Sequence, residues 1–148
     1  MRVSAKADYA LRALIELAGP DLHPMTCEEI AQAQDVPARF LKAVIAQLRR
    51  ADLVRSQRGC EGGYWLARPA NEISVGDVVR AVDGPFPTMH GEPSSGPGFE
   101  GAARALDQLW KAAAASLESV VDLVTVADLA AGRLPAGVPV PIPVGARR

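Results

Sequence analysis

Residues 26–67, TCEEIAQAQDVPARFLKAVIAQLRRADLVRSQRGCEGGYWLA, decide the fold of this 148-residue chain. Thr26 and Glu29 have the spacing of a capping box, which predicts the start of a short helix. Pro37 fits the first position of the next helix, where its missing N–H costs nothing, and that helix is predicted to run to about Ala51. Two helices joined by so short a turn form a helix-turn-helix pattern.

The second of these helices is amphipathic, and a β-hairpin is predicted to follow it. Apolar residues recur at helical spacing along the predicted buried face: Phe40, Leu41, Val44, Ile45 and Leu48. Residues 53–57 alternate like a strand, residues 58–63 form a glycine-rich turn, and residues 64–67 return as a second strand. A helix-turn-helix followed by a hairpin is the arrangement of a winged helix.

Further helices are predicted on both sides of this stretch. Ser4 is a good N-cap for a helix through about Ala18, and Ser74 begins a capped helix through Val82. A long helix is predicted over residues 102–124, and Thr125 caps a short one after it. The fold class is therefore mainly α with a small β-hairpin wing: a winged helix-turn-helix plus a long C-terminal dimerisation helix.

The composition changes along the chain and divides it into four segments. We predict a winged helix-turn-helix domain over residues 1–83 and a flexible loop rich in proline and glycine over residues 84–101. The long helix with its short successor is predicted over residues 102–131, and an extended or disordered tail over residues 132–148. The long helix carries one apolar stripe, which needs a partner. A second copy of the chain is the favoured partner, and folding back onto its own core is the alternative.

Composition excludes several classes of protein. Hydrophobic residues make up 49% of the chain, which is enough for a buried core, and the net charge is -1. No apolar run approaches the roughly 20 residues of a membrane-spanning helix. Residues 1–10 lack the apolar block of a signal peptide, so we expect none and expect a cytoplasmic protein. The two histidines, His23 and His90, fall in predicted loops, and no spacing places a catalytic or metal-binding set. We therefore expect that the chain is not an enzyme.

Positive charge is concentrated on the third helix and the wing. Six basic residues against the single acid Asp52 give a local charge of +5: Arg39, Lys42, Arg49, Arg50, Arg55 and Arg58. In the helix-turn-helix context, this predicts a helix that enters the DNA major groove. We expect Arg39 and Lys42 to contact base edges, Arg49 to contact phosphates, and Arg58 at the wing tip to enter a narrow minor groove. The alternative is a winged-helix protein-interaction module without DNA binding.

Several motifs resemble one family, the Rrf-two (Rrf2) family of bacterial transcription regulators. They are MRVSAK (1–6) and YALRAL (9–14), the wing residues LVRS (53–56), RG (58–59), GGY (62–64) and LARP (66–69), the helix ISVGDVVRAV (73–82), Trp110, and VTVADL (124–129). The resemblance covers about residues 1–131. It implies a homodimeric winged helix-turn-helix, favouring a repressor, on a partly palindromic operator. It also implies that Arg2, Ser4, Lys6 and Tyr9 contact the DNA backbone or its phosphates.

The chain departs from the family pattern at the residues that would sense a signal. Members of the family that bind an iron–sulfur cluster carry three cysteines in the loop before the long helix, and residues 84–101 contain none. We therefore expect no cluster and no other cofactor, and interpret Asp8, where some members supply a carboxylate ligand, as structural or as part of a different effector site. The signal is then either a small-molecule effector or oxidation of a redox-sensitive thiol at Cys60. Lys42 also stands where the family often has an acid.

Overall fold

A computed structural model describes residues 3–21, 23–60, 62–86, 88–89, 92–93 and 101–140. These residues form six α-helices, which are α1 (Ala5–Leu17), α2 (Cys27–Gln34), α3 (Ala38–Arg50), α4 (Val75–Asp83), α5 (Arg104–Leu123) and α6 (Val126–Ala130). Two antiparallel strand pairs are β1 (Val54–Gln57) with β2 (Gly63–Leu66), and β3 (Thr88–Met89) with β4 (Glu92–Pro93). Short 3-10 turns lie at Ala70–Glu72 and Gly101–Ala103.

Four of the six helices, α1, α2, α4 and α6, begin at side-chain caps, as the sequence predicts. The Ser4 hydroxyl accepts a hydrogen bond from the Ala7 backbone N–H at 3.0 Å. Complete capping boxes begin α2 at Thr26, α4 at Ser74 and α6 at Thr125. Each cap satisfies backbone N–H groups that have no partner inside the helix.

The turn between α2 and α3 differs from the prediction by one residue. Asp35 adopts a left-handed conformation with φ 50°, and the Val36 N–H donates to the Ala31 carbonyl at 3.0 Å. Pro37 is the N-cap of α3 and not its first helical residue, because its ψ of 117° is extended. The Pro37 carbonyl accepts the Leu41 N–H, which is the first hydrogen bond of α3. An N–H at the N-cap would have no partner inside the helix, so the proline costs nothing there either.

The core forms around α1, which packs against α2, α3, α4 and α6. Small and branched apolar side chains make this packing close. The fully buried larger ones are Leu14, Ile30, Leu41, Ile45, Leu48, Leu53, Ile73, Val54, Val78 and Val126. Val126 lies in α6, so a short helix that follows the long one in sequence closes the core of the winged domain.

Phe40 corrects the predicted buried face of α3. The other four predicted residues are buried, but the Phe40 side chain is 64% exposed. Leu41, Val44, Ile45 and Leu48 form the stripe that faces the core, and Phe40 lies about 100° around the helix from Leu41, at the edge of that stripe. Its ring therefore lines the wall of a groove between α1 and α3.

The wing is a regular hairpin that is joined to the segment preceding α2. Val54 pairs with Leu66, Arg55 with Trp65, Ser56 with Tyr64 and Gln57 with Gly63. Met25 and Tyr64 exchange two backbone hydrogen bonds, at 3.0 Å and 2.7 Å. This bridge holds the wing against the helix-turn-helix.

The segment predicted as an irregular loop, residues 84–101, contains a short strand pair. Thr88 pairs with Pro93, and Met89 pairs with Glu92. The rest of this segment lies largely outside the described residues, as do residues 141–148 of the predicted tail, while residues 133–140 form neither helix nor strand. Within the described parts of the chain, no helix is both long and apolar enough to cross a membrane.

The C-terminal end of α5 is docked on α4. Arg80 Nη2 lies 2.6 Å from Asp122 Oδ1, and the Val75 N–H donates to the Val124 carbonyl at 2.8 Å. The N-terminal half of α5 extends beyond this contact with its apolar residues uncovered. The exposed apolar side chains of α5 are Leu106, Leu109, Trp110 and Leu123.

Candidate nucleic-acid interface

The outward face of α3 is basic, as the sequence predicts. The inward stripe of α3 is buried in the core, which leaves Arg39, Lys42, Arg49 and Arg50 exposed on the other side of the helix. Arg49 and Arg50 lie in the last turn, where cations interact favourably with the helix dipole. A rigid helix therefore carries guanidinium and ammonium groups on one accessible surface.

Lys42 is the one cation of α3 that forms an ion pair among the described residues. Its Nζ lies 3.1 Å from Oε1 of Glu28 in the first turn of α2, and both side chains are well exposed. A hydrogen bond from Lys42 lowers the pKa of Glu28, and the same contact raises the pKa of Lys42. Both groups are therefore charged at neutral pH.

Of the DNA contacts predicted at the start of the chain, Lys6 and Tyr9 lie beside α3, and Lys6 and Ser4 already have partners. Lys6 Nζ donates to the Val82 carbonyl at 2.8 Å and lies 3.7 Å from Asp83 Oδ1, at the end of α4. The Ser4 hydroxyl is the helix cap described above. Tyr9 is half-buried, and Arg2 lies outside the described residues.

Lys6, Tyr9 and α3 meet around an open groove of about 430 Å³. The wall formed by α3 includes Phe40, Gln47 and Arg50. The groove is mainly apolar, with the Lys6 and Arg50 cations on it. The structure thus brings the N-terminal half of α1 and the exposed face of α3 onto one surface.

The wing carries further basic residues and contacts the last turn of α3. Arg55 and Arg58 are exposed, and Arg49 Nη1 donates to the Ser56 hydroxyl at 3.2 Å, which links α3 to β1. Gly59 has a φ of 121°, which turns the chain at the wing tip beside Arg58. The last turn of α3 and the wing therefore both carry exposed cations.

The two cysteines differ in environment and do not approach a metal-binding set. Cys27 is buried, its thiol donates to the Ala38 carbonyl at 3.7 Å, and burial raises its pKa. Cys60 is exposed at the wing tip. Among the residues that the structure describes, no group of three His, Cys, Asp or Glu side chains could hold a metal ion.

Asp8, predicted as structural or as part of an effector site, lies in the first turn of α1. Its Oδ2 pairs with Arg12 Nε at 3.0 Å, one turn further along the same helix.

Sequence reasoning missed three residues of this surface. Glu28 was not identified because it adjoins Glu29, which forms the capping box. Only one acid is needed for that cap, so Glu28 is free to make another contact. Phe40 was assigned to the core, and Gln47 was not considered because it is uncharged. An acid in the first turn of the first helix, opposite a basic second helix, is the signal that could have identified Glu28.

The family model for Rrf2, described as an iron-dependent transcriptional regulator, matches residues 3–132. An HTH-type transcriptional regulator of Mycobacterium tuberculosis is 43% identical over 136 residues, covering 91% of this chain and 84% of that protein.

Solved structures agree with this assignment. CymR, the global cysteine regulator of B. subtilis, superposes with a TM-score of 0.75 at 30% identity, covering 89% of this chain and 98% of that one. IscR of T. potens gives a TM-score of 0.72 at 32% identity, covering 89% and 88%. The chain therefore belongs to the Rrf2 family and is a DNA-binding transcriptional regulator with a winged helix-turn-helix fold.

Proposed function

We propose that the chain acts as a homodimeric repressor on an inverted-repeat operator whose half-sites lie about one helical turn apart. The observation that carries the proposal is the basic outer face of α3, in a chain whose net charge is -1. Arg39 and Lys42 read base edges in the major groove, while Arg58 on the wing enters the minor groove. Lys6 and Arg49 hold the phosphates, together with Arg2, Ser4 and Tyr9.

The uncovered face of α5 supports the homodimer. Leu109 and Trp110 are 57% and 45% exposed although they lie on a long amphipathic helix. Large apolar residues at adjoining positions on one helix face indicate an interaction surface. A second copy would cover this face and place two α3 helices in the symmetric arrangement that an inverted repeat requires.

Lys42→Ala and Lys6→Ala are expected to weaken DNA binding in different ways. Lys42→Ala should cost about 1–3 kcal/mol on the operator and relax base preference at one or two positions. Lys6→Ala should weaken binding to all sequences alike and lower the salt slope by about one unit. The measurement is a titration of each variant against operator and scrambled duplexes at several salt concentrations, after the operator has been selected from genomic fragments.

Arg58→Ala extends the same experiment to the wing. The Arg58→Ala variant should lose most affinity on operators with A·T-rich flanks, where the minor groove is narrow. A melting curve for Lys6→Ala provides the control, since Lys6 also bonds to Val82. If both Lys42→Ala and Arg58→Ala keep wild-type operator affinity, the interaction-module alternative becomes the better one.

The iron in the family description does not fit the residues of this chain. Iron–sulfur clusters are held mainly by cysteine thiolates, and the chain has two cysteines, neither between residues 84 and 101. Cys27 is buried in α2 and Cys60 stands at the wing tip. The signal that we propose is therefore a small-molecule effector or oxidation at Cys60.

Anaerobically purified protein is expected to contain no iron–sulfur cluster. The reason is the shortage of thiolate ligands described above. Visible absorption spectroscopy, together with iron and sulfide analysis, checks this expectation. Charge-transfer absorption with stoichiometric iron and sulfide would refute it.

A further inference from the structure

The Glu28–Lys42 ion pair joins the two helices of the helix-turn-helix on their outer surface. Lys42 Nζ and Glu28 Oε1 are 3.1 Å apart, and their side chains are 63% and 64% exposed. A pair so open to water contributes little to folding stability. Its main consequence is for the charge and the geometry that α3 presents to DNA.

Glu28 is free for this contact because its neighbour makes the cap. Glu29 Oε2 accepts hydrogen bonds from the Thr26 N–H and hydroxyl, at 2.7 Å and 2.9 Å. The Glu28 carboxylate takes no part in the capping box and reaches across to α3. The first acid of the Thr-Cys-Glu-Glu sequence therefore contacts α3, and the second makes the cap.

Lys42 has an ion-pair partner, unlike the other basic residues of α3 and the wing. Within the described parts of the chain, Arg39, Arg50, Arg55 and Arg58 form no ion pair, so their charge is available to any phosphate. The carboxylate of Glu28 offsets part of the Lys42 charge, so Lys42 attracts a phosphate less strongly than an unpaired cation does. The Lys42 ammonium has three donors, so it can keep Glu28 and still donate to a base edge.

We propose that Glu28 is a specificity-determining residue, which positions Lys42 for base readout and withholds its charge from the phosphates of unrelated DNA. The inference rests on the proposed DNA-reading role of α3. A carboxylate at this place also repels phosphates that approach closely in a non-specific complex. The operator complex tolerates it because Lys42 stays between Glu28 and the bases.

Glu28→Gln tests the proposal on the full chain. The probes are a duplex selected from a random library by the wild-type protein and a scrambled duplex of equal composition, titrated at several salt concentrations. The affinity ratio between the two duplexes should fall about two- to five-fold. Binding to the scrambled duplex should strengthen and its salt slope should steepen by about one unit. The matched control is Glu72→Gln, which removes an exposed acid elsewhere on the winged domain and should leave the ratio unchanged.

A double-mutant cycle shows whether Glu28 acts through Lys42. In a Lys42→Met background, Glu28→Gln should lower the ratio clearly less than it does in the wild-type background, because only the repulsion of phosphates is left. Glu28→Asp alone should restore part of the discrimination that Glu28→Gln loses. An unchanged ratio in Glu28→Gln overturns the proposal, and so does an equal fall in the Lys42→Met background, which would show repulsion without positioning. A wild-type protein that prefers no duplex overturns the proposed function as well, so the two failures are distinguishable.

Discussion

Leu109→Glu is expected to convert the protein into a folded monomer that no longer binds its operator tightly. Leu109 is exposed on α5 and is absent from the core around α1, so the charge does not disturb the fold of one chain. In the proposed dimer the same charge would be buried without a partner, which costs about 3 kcal/mol or more and weakens association at least about 100-fold. Sedimentation with and without operator DNA measures the effect.

Ala115→Glu is the matched control for this experiment. Ala115 lies on the same helix and is exposed, but it faces away from the apolar stripe. This variant should remain dimeric and keep operator affinity. If Leu109→Glu stays dimeric at micromolar concentration, α5 is not the interface.

Gly63→Ala is expected to destabilise the wing by about 3 kcal/mol, because it combines steric overlap with the loss of hydrogen bonds. A Cβ at this position would stand 2.8–2.9 Å from three backbone atoms of Met25. Those atoms cannot rotate away, so the two Met25–Tyr64 hydrogen bonds would have to open. Thermal unfolding and proteolysis of the hairpin measure the effect.

Gly59→Ala separates overlap from backbone strain. Gly59 also has a positive φ, 121°, but a Cβ there would meet no atom within 4 Å. Its substitution should therefore cost only the strain, about 1–2 kcal/mol. Equal losses of stability in the two variants would show that overlap with Met25 adds nothing to the cost of Gly63→Ala.

A series of contacts runs from α5 through α4 to α1. α5 is tied to α4 through Arg80 and Asp122, and α4 in turn accepts the hydrogen bond of Lys6 at Val82. α4 therefore lies between α5 and the N-terminal end of α1 in this series of contacts. These contacts connect the proposed dimerisation helix with residues proposed to hold phosphates.

Much of the fold could be predicted because its determinants are local. A cap links residues three positions apart, and an apolar stripe repeats every three to four positions, so both are visible in sequence. This is why the helix starts at Ser4, Thr26, Ser74 and Thr125 and the buried side of α3 were predicted, apart from Phe40. The local charge of +5 was likewise a property of the sequence alone.

The candidate site could be predicted only in part, because long-range contacts decide which charges are free. Nothing in the local pattern joins Lys6 to Val82, 76 positions away, or Glu28 to Lys42. The structure also placed α6 in the winged core and left Phe40 outside it, since burial depends on what packs beside a helix edge. The sequence by itself determined the helices, the wing and the basic face, and only the tertiary structure decided which cations are already paired.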